Sequence, residues 1–477
     1  MRTYVLDPGA KAPLYEQLYR AMKEDILSGA IAGGEKLPSK RALAEHLSVS
    51  RITVENAYQQ LLAEGYVVSR PRSGFYAETL EALPGRMPQT AVSALPETHT
   101  APPTPSAGQF PYSIWARLMR GVLLDRHDQL LQPPPNTGLP DLRRAIAGML
   151  LRSRGMAVDP NCIVIGAGAE YLYNILIQLL GRELRYGVED PGHQKLRRVY
   201  EANGVALCPI GLDPGGVSMR ALADSRADVL HISPSHQFPT GIVTPIARRR
   251  QLMAWLDSRQ DRWLVEDDYD SEFRFSGKVI PTMFSMDHTG RVIYMNTFSR
   301  TITPALRISY MLLPPDLMER YHRRLGFYSC TVPSFEQLTL ARFLDEGYFE
   351  KHISRMRRHY RLLRDRLLAL LRQSPLAHRM TVQGDEAGLH FLLRLDTDLP
   401  ANAVEQALAE AGIRAACLSR YKTGPAAETD QNRFVFQYSD LAEADLPRVV
   451  ETLEGLVGVG DGPRTSLMEI SSQTVEQ

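Results

Sequence analysis

The sequence has few cysteines, and none of them form a recognisable pair. The four are scattered along 477 residues, at Cys162, Cys208, Cys330 and Cys417. No Cys-x-x-Cys motif occurs. This spacing favours reduced thiols and does not favour a disulfide framework or a zinc site.

Long apolar runs and a strong net charge are missing as well. No stretch approaches the length that spans a bilayer, and residues 1–10 lack the apolar segment of a secretory signal, so we expect a cytoplasmic protein without membrane contact. The formal net charge is +1, so bulk charge gives no indication of a nucleic-acid partner. A chain of 477 residues is too long for one core, and two or three domains are expected.

The first eighty residues show three helical patterns and a basic hairpin. Apolar residues recur every fourth position from Leu14 to Ile26, which predicts a helix. Ser39 can cap a second short helix, and a third begins at Arg51 after a three-residue turn. Two β-rich segments then flank the basic sequence 70–73, which predicts a β-hairpin.

Three helices and a basic hairpin describe a winged helix-turn-helix. In that motif, the second helix of the pair enters the DNA major groove through its N-terminal residues. Ser50, Arg51 and Thr53 hold those positions here, and their side chains suit phosphate oxygens and guanine edges. The alternative is a small helical module that docks on another protein.

Residues 10–78 resemble the GntR winged-helix family. The matching strings are Leu37-Pro-Ser-x-Arg41-x-Leu-Ala, Ser50-Arg51-x-Thr53-Val54, Leu61-Leu-x-Glu64-Gly65-Tyr66 and Gly74-x-Tyr76. The resemblance implies that this domain binds double-stranded DNA through Arg41, Arg51, Thr53, Arg72 and the backbone of Gly74.

The composition changes twice further along the chain. Residues 79–108 are rich in Pro, Ala, Thr and Ser, which predicts a semi-stiff linker. Residues 459–477 are polar and predict a disordered tail. In 109–458, strand and helix signals alternate, which predicts an α/β body with a parallel sheet covered on both faces. A smaller α+β domain is expected past about Leu313.

Unusual residues follow five predicted strands of this body. The strings are Gly166-Ala-Gly168, Asp190-Pro-Gly-His193, Ser233-Pro-Ser-His236-Gln-Phe-Pro-Thr-Gly241, Asp267-Asp-Tyr269 and Thr297-Phe-Ser-Arg300. Ligands of such sheets bind beyond the carboxyl ends of the strands. Five strings at strand ends therefore predict one ligand site.

The first and last of these strings suit a phosphate group. Gly168 and Ala169 open a helix whose free N–H groups suit an oxyanion, although a plain glycine turn gives the same pattern. Hydroxyls followed by arginines, from Thr297 to Arg307, suit an oxyanion too. The alternative for that stretch is a strand edge with solvated charges.

The middle strings suit a planar ring. Asp267 and Tyr269 suit a protonated ring nitrogen and a ring hydroxyl, and His193 is able to stack on a ring or to stay solvated. The acids from Glu266 to Glu272 are an alternative site for a hard metal ion. They lack the glycine-hinged spacing of a calcium loop, so we predict no metal. Arg433 is an isolated charge on an apolar strand and favours a carboxylate partner.

Together, residues 110–457 resemble the aminotransferase-like domain of MocR-type bacterial regulators. The supporting strings are Asp190-Pro-Gly, Ser233 to Gly241, Glu266-Asp-Asp-Tyr-Asp-Ser-Glu-Phe-Arg274 and Phe298-Ser-x-Thr-x-x-Pro-x-x-Arg307. The order of GntR head, proline-rich linker and aminotransferase-like body is also the family's signature. Such regulators are typically head-to-tail dimers, with each DNA head over the other subunit.

The resemblance assigns roles to individual residues. Asp267 would face the pyridine nitrogen of pyridoxal phosphate and Tyr269 its ring hydroxyl. His193 stands where the family usually has a stacking tyrosine. The phosphate would be held by Ser299, Arg307 and the turn at Gly168 and Ala169, and Thr297 is a further candidate for cofactor binding. Arg433 would hold the carboxylate of an amino-acid effector.

Arg300 stands where the family carries the lysine that forms a Schiff base. A guanidinium stays protonated, so Arg300 can neither form that bond nor act as a base. We therefore predict no catalytic residue and no transamination, with pyridoxal phosphate bound non-covalently if it binds. A regulator that senses a small anionic or aldehyde ligand is favoured. A regulator with a scaffold body and a pyridoxal enzyme with an accessory DNA head are the alternatives.

Overall fold

The computed structural model describes residues 2–10, 12–79, 110–275, 280–424 and 430–458. The predicted linker, apart from Thr79, and the predicted tail lie outside these residues. The chain divides into two units, 1–99 and 100–477, and each is described by itself.

The first unit contains three helices and a hairpin. The elements are α1 (Leu14–Leu27), α2 (Lys40–Leu47), α3 (Arg51–Ala63), β1 (Val67–Arg70) and β2 (Gly74–Ala77). The strands are antiparallel. The hydroxyls of Ser39 and Ser50 accept hydrogen bonds from the third backbone N–H beyond them, so they fix the starts of α2 and α3. The predicted winged helix-turn-helix architecture is confirmed.

The larger part of the second unit alternates helices and strands. The helices are α4 (Tyr112–Asp125), α5 (His127–Leu130), α6 (Pro140–Arg154), α7 (Ala169–Leu180), α8 (Gln194–Ala202), α9 (Met219–Ser225), α10 (Ile246–Asp257), α11 (Met283–Met286), α12 (Pro315–Leu325) and α13 (Ser334–Asp345). The strands are β3 (Ile163–Gly166), β4 (Arg185–Asp190), β5 (Ala206–Asp213), β6 (Gly216–Val217), β7 (Val229–Ile232), β8 (Trp263–Asp267), β9 (Val292–Thr297) and β10 (Ser309–Leu312).

These eight strands form one sheet in the order β3-β10-β9-β8-β7-β4-β5-β6. The run from β9 to β5 is parallel, whereas β10 is antiparallel to both of its neighbours and β6 is antiparallel to β5. The predicted parallel-rich sheet is therefore confirmed, with β10 and β6 as its antiparallel members. Only a short connection joins β9 to β10, too short for the crossover that a parallel neighbour requires. Because β10 is antiparallel to both β3 and β9, these two strands run in the same direction.

Both faces of the sheet are covered, as predicted. Successive residues of β3 pack on opposite faces of the sheet. Ile163 and Ile165 pack in one apolar cluster with α6 and α13. Val164 packs in another cluster with α7. The carboxyl ends of the strands are left as the accessible edge.

The smaller α+β part closes the unit. Its elements are α14 (Tyr348–Gln373), β11 (Met380–Gln383), β12 (His390–Leu395), α15 (Ala401–Glu410), β13 (Arg414–Cys417), β14 (Arg433–Gln437) and α16 (Leu446–Leu456). The strands form an antiparallel sheet in the order β11-β12-β14-β13. Phe434 and Phe436 pack under α14, while Val435 between them packs with Phe238 and Tyr269. The second face of this sheet therefore borders the strand ends of the larger part. None of the helices in the ranges described above is long and apolar enough to cross a membrane.

Candidate functional site

The carboxyl ends of five strands meet at one edge of the large sheet, and the predicted residues follow them. Rings connect three of the predicted strings: His193 lies 5.5 Å from Phe238 and Phe238 lies 6.5 Å from Tyr269, measured between ring centroids. The guanidinium carbon of Arg300 lies 5.4 Å from the centroid of Tyr269. We call this region, with Asp267, the strand-end site.

Asp267 is the last residue of β8 and is 9% exposed. Its Oδ2 accepts a 2.5 Å hydrogen bond from the hydroxyl of Tyr173 and lies 3.5 Å from Nε2 of His231. Burial raises the pKa of Asp267, but His231 and Tyr173 outweigh it, and the net pKa lies below the ordinary value. Asp267 is therefore a carboxylate at neutral pH and suits a protonated ring nitrogen.

Tyr173 and His231 were not predicted from the sequence. His231 lies inside the buried strand β7, where its Nδ1 is 2.7 Å from the hydroxyl of Tyr200. Tyr173 lies one turn into α7. Both elements have a mainly apolar sequence, so their polar residues do not stand out as candidate site residues. A histidine in the middle of a four-residue buried strand is the signal that could have found one of them.

The position of Tyr269 is fixed by a contact of its hydroxyl group. The hydroxyl lies 3.2 Å from Nδ1 of His236, and the same nitrogen lies 2.7 Å from Oδ2 of Asp270. Burial, followed by the charge of Asp270, raises the pKa of Tyr269 well above its ordinary value. Tyr269 therefore stays a neutral phenol, able to donate or accept a hydrogen bond at a ring hydroxyl.

His193 is a packed ring and not a solvated turn residue. Its Nδ1 accepts a 3.2 Å hydrogen bond from the backbone N–H of Leu196, which fixes the start of α8. Burial lowers the pKa of His193 to about 4, and the charge of Arg300 acts in the same direction. The ring is therefore neutral at pH 7, a suitable state for stacking on a planar ligand.

The turn before α7 has the features of an oxyanion site. Gly168 has φ +92°, and a Cβ at this position would lie 2.6 Å from Nη2 of Arg307. As the residue before the helix it offers no side-chain cap, so the first N–H groups of α7, from Ala169 onward, are available to a ligand. Arg307 Nη2 donates to the carbonyl of Ala167 at 3.2 Å and to Glu170 at 2.5 Å.

The turn after β9 supplies hydroxyls. In the part of the chain that the structure describes, the buried Oγ of Ser299 has no hydrogen-bond partner, and a phosphate oxygen would satisfy it. Thr297 is used differently. Its Oγ1 accepts from the Ser309 hydroxyl at 2.8 Å and from the backbone N–H of Ser299 at 3.1 Å. Thr297 therefore shapes the turn, and the residues present fit a phosphate at Ser299.

Arg300 places a buried cation in this site. It is 9% exposed, and burial lowers its pKa while Tyr269, Asp270 and Asp267 oppose that change. Asp267 and Asp270 carry acidic side chains, so acidic groups in the walls of the site offset the positive charge of Arg300.

Arg433 is the first residue of β14 and lies opposite Arg394 of β12. Alternation along the strand puts its side chain on the face of Val435, the face that borders Phe238 and Tyr269. No acid pairs with Arg433 within the described ranges.

The remaining acids in and after β8 have separate partners. Glu266 lies 3.5 Å from Arg249, Asp268 forms an ion pair with Arg154, and Asp270 contacts His236. Among the residues that the structure places, no group of three or more His, Cys, Asp or Glu is arranged to hold a metal ion.

In the first unit, the predicted DNA-contacting residues line the start of α3 and the hairpin tip. Arg51 is exposed and its neighbour Ile52 is 68% exposed. The hydroxyls of Ser50 and Thr53 lie 2.9 Å apart, so Ser50 serves α3 as a cap.

Three further predicted residues lie on α2 and the hairpin, where Arg41 and Arg72 are exposed and Gly74 is half-buried. The side chain of Arg41 is 83% exposed and pairs with Glu45 at 2.9 Å. Arg72 lies at the exposed hairpin tip with φ 59°, and Gly74 has φ 116°.

Known proteins match both units. The family model "Bacterial regulatory proteins, gntR family" matches residues 14–77, and "Aminotransferase class I and II" matches residues 106–453. The chain is 40% identical to the uncharacterized HTH-type transcriptional regulator YdeL of Bacillus subtilis, over 81% of this chain and 85% of that protein. It is 34% identical to the probable rhizopine catabolism regulatory protein MocR of Rhizobium meliloti, over 87% and 88%. An archaeal alanine:glyoxylate aminotransferase has the same body fold, with a TM-score of 0.67 at 20% identity over 75% of this chain and 90% of that one.

Proposed function

The chain belongs to the HTH-type transcriptional regulators that join a gntR-family head to an aminotransferase class I and II body, and we propose that its body senses pyridoxal phosphate or a related small anionic ligand without transamination. The head binds operator DNA through Arg41, Arg51, Thr53, Arg72 and Gly74. The regulator works as a homodimer, with two heads for two half-sites.

The main observation behind this proposal is that Asp267 is a carboxylate although it is buried. Burial raises the pKa of Asp267, but His231 and the hydrogen bond from Tyr173 outweigh burial and keep this buried group a carboxylate. A buried carboxylate facing a strand end is costly unless it meets a cation. A protonated pyridine nitrogen supplies that cation, and this pairing makes bound pyridoxal phosphate an electron sink.

The other residues of the site suit the remaining parts of the same ligand. Tyr269 offers a neutral phenol to the ring hydroxyl, and His193 a neutral ring to the pyridine face. Ser299, Arg307 and the turn at Gly168 and Ala169 suit its phosphate.

Arg300 is the reason that we propose sensing without transamination. Its guanidinium stays protonated in the buried site, so it has no free lone pair for the cofactor aldehyde and removes no proton from an amino acid. It remains a strong donor to an oxygen or a carboxylate. Arg433, on the bordering strand, is the second cation for the carboxylate of an effector.

The function is tested with the full chain and a duplex from the promoter of its own gene. We expect the affinity for this duplex to change when pyridoxal 5′-phosphate is added, and we expect the cofactor to be removable by dialysis, with no added mass. Asp267→Asn should abolish the cofactor effect and leave the cofactor-free affinity unchanged. DNA affinity that is the same with and without cofactor would contradict ligand sensing, and a covalent adduct in the wild type would contradict the role of Arg300.

A further inference from the structure

A cavity of about 310 Å³ lies beside the strand-end site. It is bordered by α6, α14 and the segment after β8. Its buried wall includes His236, Arg249 and Asp270, which are 2%, 0% and 5% exposed. Its rim includes the exposed Arg357 of α14. A volume of this size suits a small molecule.

The charges on the wall do not all have partners of opposite sign. Arg154 and Arg249 line the cavity but are paired with Asp268 and Glu266, respectively. Arg357 differs, because its Nε and Nη2 both donate to the backbone carbonyl of Glu272, at 3.0 and 2.8 Å. No acid pairs with Arg357 in the ranges that the structure covers.

None of the described acids of the wall pairs with Arg357, and one of them, Glu350, is paired with Arg152 at 2.8 Å instead. Asp270 is engaged with His236 at 2.7 Å. Burial, with the charge of Asp268, raises the pKa of Glu272 to about 7, so this carboxyl keeps a large share of its proton at neutral pH. The wall therefore presents a guanidinium beside a carboxylic acid, and both are hydrogen-bond donors.

Three polar atoms of the wall are buried without a partner. Nε2 of His236, Oε2 of Glu272 and Oε2 of Glu350 have no hydrogen bond to any residue that the structure describes. Buried polar atoms are usually satisfied by protein, water or ligand. Three such atoms on one cavity wall indicate that a polar molecule completes it. Met149, Phe349 and Ile353 offer apolar surface for the rest of that molecule.

We propose that this cavity is a second ligand site of the body and binds a small organic carboxylate, anchored by Arg357. The inference goes beyond the proposed function, because Arg357 and Glu272 play no part in the strand-end site. His236 lines the cavity and lies 3.2 Å from the hydroxyl of Tyr269, so a ligand that contacts His236 acts directly on a residue of that site.

The test uses thermal denaturation of the full chain with acetate, succinate and benzoate, and with neutral succinamide as the control. At least one carboxylate should raise the melting temperature at pH 7 while succinamide does not. Arg357→Gln should weaken carboxylate binding about tenfold, the value expected for one charged hydrogen bond. Arg358→Gln, a change of the same charge on the next residue of α14, should bind like the wild type.

A competition experiment separates this site from the strand-end site. With pyridoxal 5′-phosphate at saturation, the carboxylate should still bind, and Asp267→Asn should not prevent it. The proposal fails if none of the three carboxylates binds, if Arg357→Gln binds as tightly as Arg358→Gln, or if pyridoxal 5′-phosphate displaces the carboxylate. The first two results leave DNA binding and cofactor sensing untouched, because they involve neither the DNA-binding head nor pyridoxal 5′-phosphate.

Discussion

A single side chain, Arg300, decides which chemistry the strand-end site supports. Its cation lies against the ring of Tyr269 in a site whose other walls suit pyridoxal phosphate. We expect Arg300→Lys to restore a covalent bond to the cofactor, because a buried lysine loses its proton readily and is similar in length. Added cofactor should produce a new visible absorbance band, and borohydride should fix its mass to the substituted position.

The companion variants identify which contacts support that bond. Arg300→Lys combined with Asp267→Ala should lose the band, because the pairing with the ring nitrogen is removed. Wild type treated with borohydride should gain no mass. A folded Arg300→Lys protein that shows no adduct at saturating cofactor would mean that the ligand is not pyridoxal phosphate.

Gly168 permits a residue-scale test of the phosphate turn. A Cβ at Gly168 would lie 2.6 Å from Arg307, so Gly168→Ala should displace the guanidinium and weaken cofactor binding at least tenfold. Gly155→Ala is the matched control. Gly155 also has positive φ, at +67°, but a Cβ there meets no atom within 4 Å. Alanine at Gly155, in the left-handed helical region, costs about 1–2 kcal/mol of backbone strain. At Gly168, with ψ 161°, the cost is up to about 3 kcal/mol, so the unfolding free energy of both variants is measured as well. Equal losses of cofactor affinity, measured by calorimetry, would rule out a specific phosphate turn.

Glu189 makes the stability of the body depend on pH. Burial raises the pKa of Glu189 from 4.5 to about 8. Between these values the unfolded chain releases the proton and the folded chain keeps it, so the contribution is complete below pH 4.5 and is lost as the pH rises through 8. Glu189→Gln should reduce the fall in unfolding free energy between pH 6 and pH 8 by about 1–2 kcal/mol. Calorimetry at both pH values measures this fall, and Glu183→Gln, on an exposed side chain, should leave it unchanged.

Part of the strand-end site could be predicted at the residue scale. Asp267 and Tyr269 follow a short apolar strand in a recognisable string, and the structure brings both to the strand-end site. Their partners could not be predicted, because Tyr173 and His236 approach through tertiary packing from distant parts of the chain. The sequence suggests a ligand role for Thr297, but the fold directs its hydroxyl to Ser309 and to a backbone N–H.

At the scale of elements, α3 carries the DNA-binding hypothesis. Arg51 is the first exposed residue of this helix, and the Ser50 cap fixes its direction. Arg51→Ala should weaken binding to the promoter duplex by about 1–3 kcal/mol and lower its salt dependence. Arg41→Ala should act in the same direction.

The control for this prediction is Arg20→Ala. Arg20 lies on α1 with a side chain that is 67% exposed, and the charge change is the same. Fluorescence anisotropy at several salt concentrations compares the three variants. Affinities of Arg51→Ala and Arg41→Ala that match Arg20→Ala would exclude α3 and α2 as the DNA-contacting elements.

Elements with a clear period were the predictable ones. The spacing of four residues between apolar positions correctly predicted a helix for α1. The apolar runs of β7 and β9 correctly predicted strands. The four-residue β10 also lies in an apolar run, from Ile308 to Leu313, but this run does not indicate the direction of the strand. Its antiparallel place between β3 and β9 depends on long-range pairing, which local pattern does not encode.

At the scale of the whole molecule, the second unit exposes large apolar side chains. Phe327 is 78% exposed after α12, Leu131 is 82% exposed after α5, and Phe335 on α13 is 40% exposed. Large apolar side chains that are exposed to solvent favour protein interaction. We predict that Phe327 lies in the interface of the homodimer that the proposed function requires.

Phe327→Glu should therefore weaken the dimer, because it places a charge on a surface that association buries. Sedimentation at micromolar concentration should show a dimer for the wild type and a shift toward monomer for Phe327→Glu. Leu362→Glu, on a 56% exposed position of α14, is the matched control and should stay dimeric. A monomeric variant has one head per particle, so its affinity for a duplex with two half-sites should fall to that for a single half-site. A wild type that sediments as a monomer with and without DNA would contradict the dimer, and two-site affinity retained by monomeric Phe327→Glu would show that the heads act singly.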